Sequence, residues 1–223
     1  MWANYQASKG FEIVIINDVK DAKSGKKFHL LFVSNDKITQ IVLSTSKIAE
    51  TVLYPDDRKQ KKPVTSVTIR LTNQTMAHQQ VVVDTQGTYE YVLHISSSLM
   101  EEKNVEKAVV LAVQRGMTRV WLWNGEGGTP DELIDGIVEF VNVVGGHVGI
   151  PDYRLKRLPV VDNMCWKYGD HMDMAHFLRY CETMKNGFIE RLNQAMESSW
   201  HDSMVDDALG MPAWQLCGSY YSL

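Results

Sequence analysis

Between Val110 and Phe140 the chain reads VLAVQRGMTRVWLWNGEGGTPDELIDGIVEF. Arg115 and Arg119 stand four apart in the first half, and Asp135 and Glu139 four apart in the second. On helices, each pair occupies one face. Guanidinium forks pair with carboxylates in a bidentate way. The pattern therefore suits two uses: an ion-pair network that ties two helices together, or an arginine that holds an anionic group. Metal chemistry on such a helix needs two histidines four apart with a glutamate beside the first. No histidine falls within this stretch, and a guanidinium cannot lose its proton to become a ligand.

The elements that must position these residues follow from periodicity and punctuation. A helix runs from about Asn104 to Trp121. The next is opened by Thr129 as N-cap, Pro130 at the first position and Glu132 closing a capping box, and it ends at Gly145–Gly146. Its apolar face is Leu133, Ile134, Ile137, Val138 and Val141, and its other face carries Asp135, Glu139 and Asn142. Upstream, Phe11–Val19 and Lys27–Ser34 look like strands joined by a turn through KDAKSGK. Helical spacing from Lys37 continues to Val52, and Pro55 stops it. VTSVTIRLT alternates through Val67, Ile69 and Leu71 as a half-buried strand does. QVVVDT and YEYVLHIS read as further strands, with a Gln86–Gly87 turn opening the second. Downstream lie a loop through HVGIPDYRLKRLPVVDN, helices near Asp173–Met184 and Phe188–Ser198, and the turn KNG between them. This is an α+β pattern, strands early and helices late. It divides into an N-terminal tail over 1–10 and one domain over 11–223.

Composition narrows the classes. The chain has 223 residues and a net charge of −4, long enough for a substantial core. The acidic balance argues against nucleic-acid binding, and RKQKK at Arg58–Lys62 reads as a solvated loop. No apolar run approaches the ~20 residues of a membrane span. MWANYQASKG lacks the apolar core of a signal peptide, so the expected place is the cytoplasm, or outside the cell if a signal was removed. The three cysteines, Cys165, Cys181 and Cys217, leave at least one free thiol and make no scaffold.

Several segments together carry a resemblance: MTRVWLWNG (Met117–Gly125), LIDGIVEF (Leu133–Phe140), YVLHISSSLM, AHFLRYC (Ala175–Cys181) and MKNGFIERLNQAM (Met184–Met196). The chain resembles the plant basic secretory protein family, also called the plant and bacterial peptidase domain, from about residue 11 onward. That resemblance implies a zincin-like fold, with an N-terminal mixed or antiparallel sheet, helices, and a mostly helical C-terminal half. It implies HExxH on the first helix and a glutamate ligand on the next. Carried over, the first ligand position is Arg115, the general-base position Gly116 and the second ligand position Arg119. The third holds Asp135, one methylene shorter than glutamate. His147, His171 and His176 are unassigned histidines from which a relocated site could draw. The family is largely basic, secreted and associated with defence in plants. This chain is acidic and shows no signal peptide.

The expectation is a catalytically degenerate homologue, a pseudopeptidase needing no metal or other cofactor. Its former cleft would bind a small acidic molecule or a peptide through Arg115, Arg119, Asp135 and Glu139. Arg119 would clamp the acid, and Trp121 or Tyr91 would supply aromatic walls. Core packing is the other reading of Trp121, Trp123 and Trp166. YEYVLHIS would border the cleft, able to pair with an extended chain. Two alternatives stand beside this. One is a repurposed metal-free enzyme using Glu139 or Asp135 as base, His171 as acid or base and an arginine as anion clamp. The other is a structural or partner-binding protein with a collapsed cleft.

Overall fold

Val67, Ile69 and Leu71 alternate along one strand and are fully buried, so the sheet containing them presents a dry face to the helices. A computed structural model describes residues 3–4, 10–56, 58–74, 76, 80–148 and 170–220, and at 3–4 and 217–220 the backbone alone. Contacts group the chain into two compact units, Met1–Glu50 with Gln60–Trp121 and Thr51–Lys59 with Leu122–Leu223.

The first unit holds a five-stranded sheet of β1 (Ala3–Asn4), β2 (Glu12–Asn17), β3 (Ser66–Thr72), β4 (Val81–Gly87) and β5 (Glu90–Ser96), in the order β1-β2-β3-β5-β4. β2, β3 and β5 are parallel, and β1 and β4 flank them antiparallel. The register sets Ile13, Val67 and Tyr91 abreast, then Ile15, Ile69 and Leu93. All but Ile15 of these are buried. Two-residue β1 pairs with Ile13 and Val14, so the expected tail contributes a short strand. α2 (Lys37–Leu53) and α3 (Val105–Trp121) are the long helices. Gln114 of α3 donates from Nε2 to the Thr45 carbonyl of α2 at 3.3 Å.

Three expectations for this unit need correction. Lys27–Ser34 is not a strand: α1 (Lys23–Phe28) runs into a π-helical turn, His29–Val33. Apolar runs this short fit either period, and here Phe28 and Phe32, four apart, are both buried while Leu30 stays 68% exposed. YEYVLHIS is not free to pair with an extended chain, since both its edges are already paired. β5 lies between β3 and β4, and β4 is the outer strand. Burial on both faces of β5, at Tyr91, Val92 and Leu93, suits an inner position, whereas β4 is mostly exposed. Finally, β4 continues through Gly87, and the turn falls at Thr88–Tyr89, with Tyr89 at φ +66°.

In the second unit, α4 (Asp131–Val144) packs along α5 (His171–Met184). Gly136 makes that crossing possible, since a Cβ there would overlap Met174, 2.7 Å from its Cβ. Pro130, rather than Thr129, is the N-cap of α4, and no side chain caps it; the Thr129 hydroxyl is buried with no hydrogen-bond partner among the described residues. Asp170 caps α5, accepting from the Met172 and Asp173 amides at 2.9 Å. α6 (Phe188–Ala195) stops short of Ser198. Nearby, the Met196 carbonyl accepts the Gly125 amide at 2.8 Å. α7 (Ser203–Leu209) and α8 (Ala213–Tyr220) close the unit. Of the expected loop, residues 149–163 lie outside the described residues, as do Cys165 and Trp166. Among the described residues no helix is long and apolar enough to cross a membrane.

Candidate functional site

Arg115 and Arg119 sit half-buried on α3, with Gly116 buried between them. α3 can approach the sheet there because position 116 lacks a side chain: a Cβ would overlap Leu93 of β5, itself fully buried. One stripe of α3, made of Lys107, Ala108, Leu111, Ala112 and Arg115, lines a cavity of about 310 Å³ completed by Gln80, Glu102 and Asn104. Two cations and one carboxylate line it together, and Gln80 donates to that Glu102 carboxylate at 3.4 Å. Asn104 is occupied in capping α3, accepting the Lys107 amide at 3.0 Å. Arg119 is not part of this lining. Lys107 was missed in the sequence, although its spacing from Leu111 and Arg115 by successive steps of four was the available signal.

Trp121 and Tyr91 are placed as core residues. Trp121 is 6% exposed, its indole N–H donates to Ser46 Oγ at 2.9 Å, and its ring meets Phe11 edge-on at 6.4 Å. Tyr91 lies under Lys62, whose Nζ is 5.2 Å from the ring centroid. Burial pushes the Tyr91 hydroxyl up, with Tyr89 adding to the effect. Burial also pushes the Lys62 amine down to about 8. The cation–π contact offsets part of that desolvation.

The carboxylates and histidines singled out in the sequence belong to the second unit. Asp135 is half-buried on α4. Glu139 and Asn142, from the face opposite the apolar stripe, are fully buried, and Asn142 Nδ2 donates to Glu139 Oε2 at 3.0 Å. Burying a charged group requires such partners, which explains why Asn142 sits three residues on. His171 begins α5, is exposed, and makes no hydrogen bond or ion pair among the described residues. Burial pushes the imidazoles of both His147 and His176 down. Among the described residues no three His, Cys, Asp or Glu side chains gather as a metal site requires.

The segment Trp123–Gly128 explains much of what the sequence motifs do. The Trp123 amide donates to Asn193 Oδ1 at 3.0 Å and the Gly125 amide to the Met196 carbonyl at 2.8 Å. Gly125 takes φ +60°, and a Cβ there would stand 2.9 Å from Trp200 Cβ. WNG and RLNQAM are therefore two halves of one clamp.

No curated protein and no solved structure matches the chain at a significant level. A family model described as "peptidase of plants and bacteria" matches residues 8–220, nearly the whole length. The chain belongs to the peptidase family of plants and bacteria.

Proposed function

We propose that this chain is a member of the family that no longer hydrolyses peptides and uses the groove on α3 to hold a small acidic molecule or a peptide carboxylate. The observation that carries the first half is the packing at Gly116. The family resemblance sets a general base at this position, between two histidine ligands. Here the place where its Cβ would begin is taken by Leu93, and the flanking residues are guanidinium groups without a lone pair to give. Zinc therefore does not fit these side chains.

The binding half rests on the cavity lined by Lys107 and Arg115. Leu111 and Ala112 supply apolar walls, and a few fixed polar groups in such a pocket set ligand orientation. Arginine adds the bidentate geometry that a carboxylate or phosphate matches. Arg115 takes the clamp role in place of Arg119, which the cavity does not include.

Two measurements test this reading. Elemental analysis of the purified protein is expected to find no stoichiometric zinc, and casein is expected to stay intact. A panel of small carboxylic acids followed by thermal shift should contain ligands that stabilise the parent and lose that effect in Arg115→Met, while Arg119→Met keeps it. About one zinc per chain with casein cleavage would overturn the first half. Acids that stabilise the parent and Arg115→Met equally would overturn the second.

A further inference from the structure

A second cavity, of about 490 Å³, lies wholly within the first unit, between β2, the π-helical turn His29–Val33 and the start of α2. Its walls are apolar: Ile13 and Ile15 from the sheet, Val33 from the turn, Ile38 from α2. The groove on α3 shares none of its lining.

The backbone around this cavity is held in uncommon conformations. The Ser34 amide donates to the His29 carbonyl at 2.9 Å, five residues back. That single wide turn sets both His29 and Val33 on the cavity. π-turns of this kind recur at functional sites. Three residues further on, Asp36 takes φ +58°, a left-handed conformation that aspartate tolerates better than most residues.

The polar groups on the cavity divide sharply by commitment. Asn17 is spent on the Gly25 carbonyl at 2.9 Å and the Val19 amide at 3.2 Å. Ser34 donates to the Leu30 carbonyl at 2.9 Å, and Asn35 accepts the Lys37 amide at 3.2 Å. His29, Asp36 and Thr39 make no side-chain hydrogen bond or ion pair among the described residues. The nearest lysine, Lys37, has its ammonium 2.7 Å from Glu106. Asp36 is therefore the one acidic group on an apolar cavity that also offers an imidazole and a hydroxyl.

We infer that this cavity binds a small amphipathic amine, its ammonium on Asp36, its apolar body against Ile13, Ile15, Val33 and Ile38, and any second polar group at His29 or Thr39. A carboxylate needs a donor with a matching charge to be used fully, and a pocket of this size holds a ring with a short chain. The inference is independent of the α3 groove.

Phenethylamine, phenylpropionic acid and phenethyl alcohol share one shape and differ in the polar end, so they serve as probes. Titration of the full chain, followed by chemical shifts, is expected to show saturable binding of the amine, with the largest shifts at Val33, Ile38 and Thr39. The acid should bind at least about tenfold more weakly. Asp36→Asn keeps the left-handed backbone, since asparagine adopts it readily, and should weaken the amine about tenfold or more. Val33→Trp fills the cavity and should abolish binding with native circular dichroism. If that variant does not fold, Asp36→Asn decides alone. An acid bound as tightly as the amine, amine binding unchanged in Asp36→Asn, or no saturable amine binding would each overturn the inference.

Discussion

A Cβ placed on Gly116 would stand 2.7 Å from Leu93 Cγ and 3.3 Å from Val81 Cγ2. α3 and the β5–β4 pair are thus in contact through a missing side chain. Gly116→Ala gains about 1 kcal/mol of helix propensity but overpacks a closed core, which costs ~1–3 kcal/mol. Net destabilisation is expected by urea unfolding. Leu93→Ala in the same chain should make the added methyl harmless, so the two changes will not add. A Gly116→Ala protein more stable than the parent would show that the sheet yields.

Asn193 is fully buried and holds two backbone groups at once, accepting the Trp123 amide at 3.0 Å and donating to the Leu53 carbonyl at 3.4 Å. Asn193→Ala leaves both without that partner, at ~1–3 kcal/mol for each group left unsatisfied. A loss of about 2–6 kcal/mol is expected. Chemical denaturation reads it directly, and a variant as stable as the parent would mean that the clamp contributes nothing.

Lys62 gives a pH signature. Its amine titrates at about 8 in the folded chain against an ordinary 10.5. Between these values the unfolded chain binds more protons than the folded one, so stability attributable to Lys62 rises with pH. Below pH 8 the full penalty is present. Lys62→Met should therefore be more stable than the parent at pH 7, by up to about 3 kcal/mol, with the gap closing as pH climbs from 8 to 10. Staying below 10 keeps the Tyr91 hydroxyl, which burial pushes up, out of the titration. A gap constant across that range would show that Lys62 keeps its ordinary behaviour.

Glu182 receives the Gly187 amide at 2.6 Å and the Ile189 amide at 2.8 Å, satisfying the first turn of α6 from the preceding helix. Glu182→Ala is expected to cost ~1–2 kcal/mol, as loss of an N-terminal cap does. Glu182→Gln retains one acceptor and should fall between. Equal stability of all three proteins would exclude the cap.

Local pattern was enough wherever one force dominated. The alternation at Val67, Ile69 and Leu71 and the helical stripe of α3 needed no partner to be legible, because burial of one face dictates a period. The motifs around WNG and LIDGI were likewise enough to identify the family, since they encode backbone contacts such as Gly125 to Met196. What the chain could not disclose depended on neighbours far along it. Lys27–Ser34 became helical because Phe28 and Phe32 found a common core. β5 became an inner strand because β4 folded back outside it. Arg115 rather than Arg119 reached the α3 cavity because of how that helix is rotated against Gln80 and Glu102. Residue type and spacing determine which face a side chain occupies; only packing decides what stands opposite, and that sets exposure, charge state and the chemistry left available.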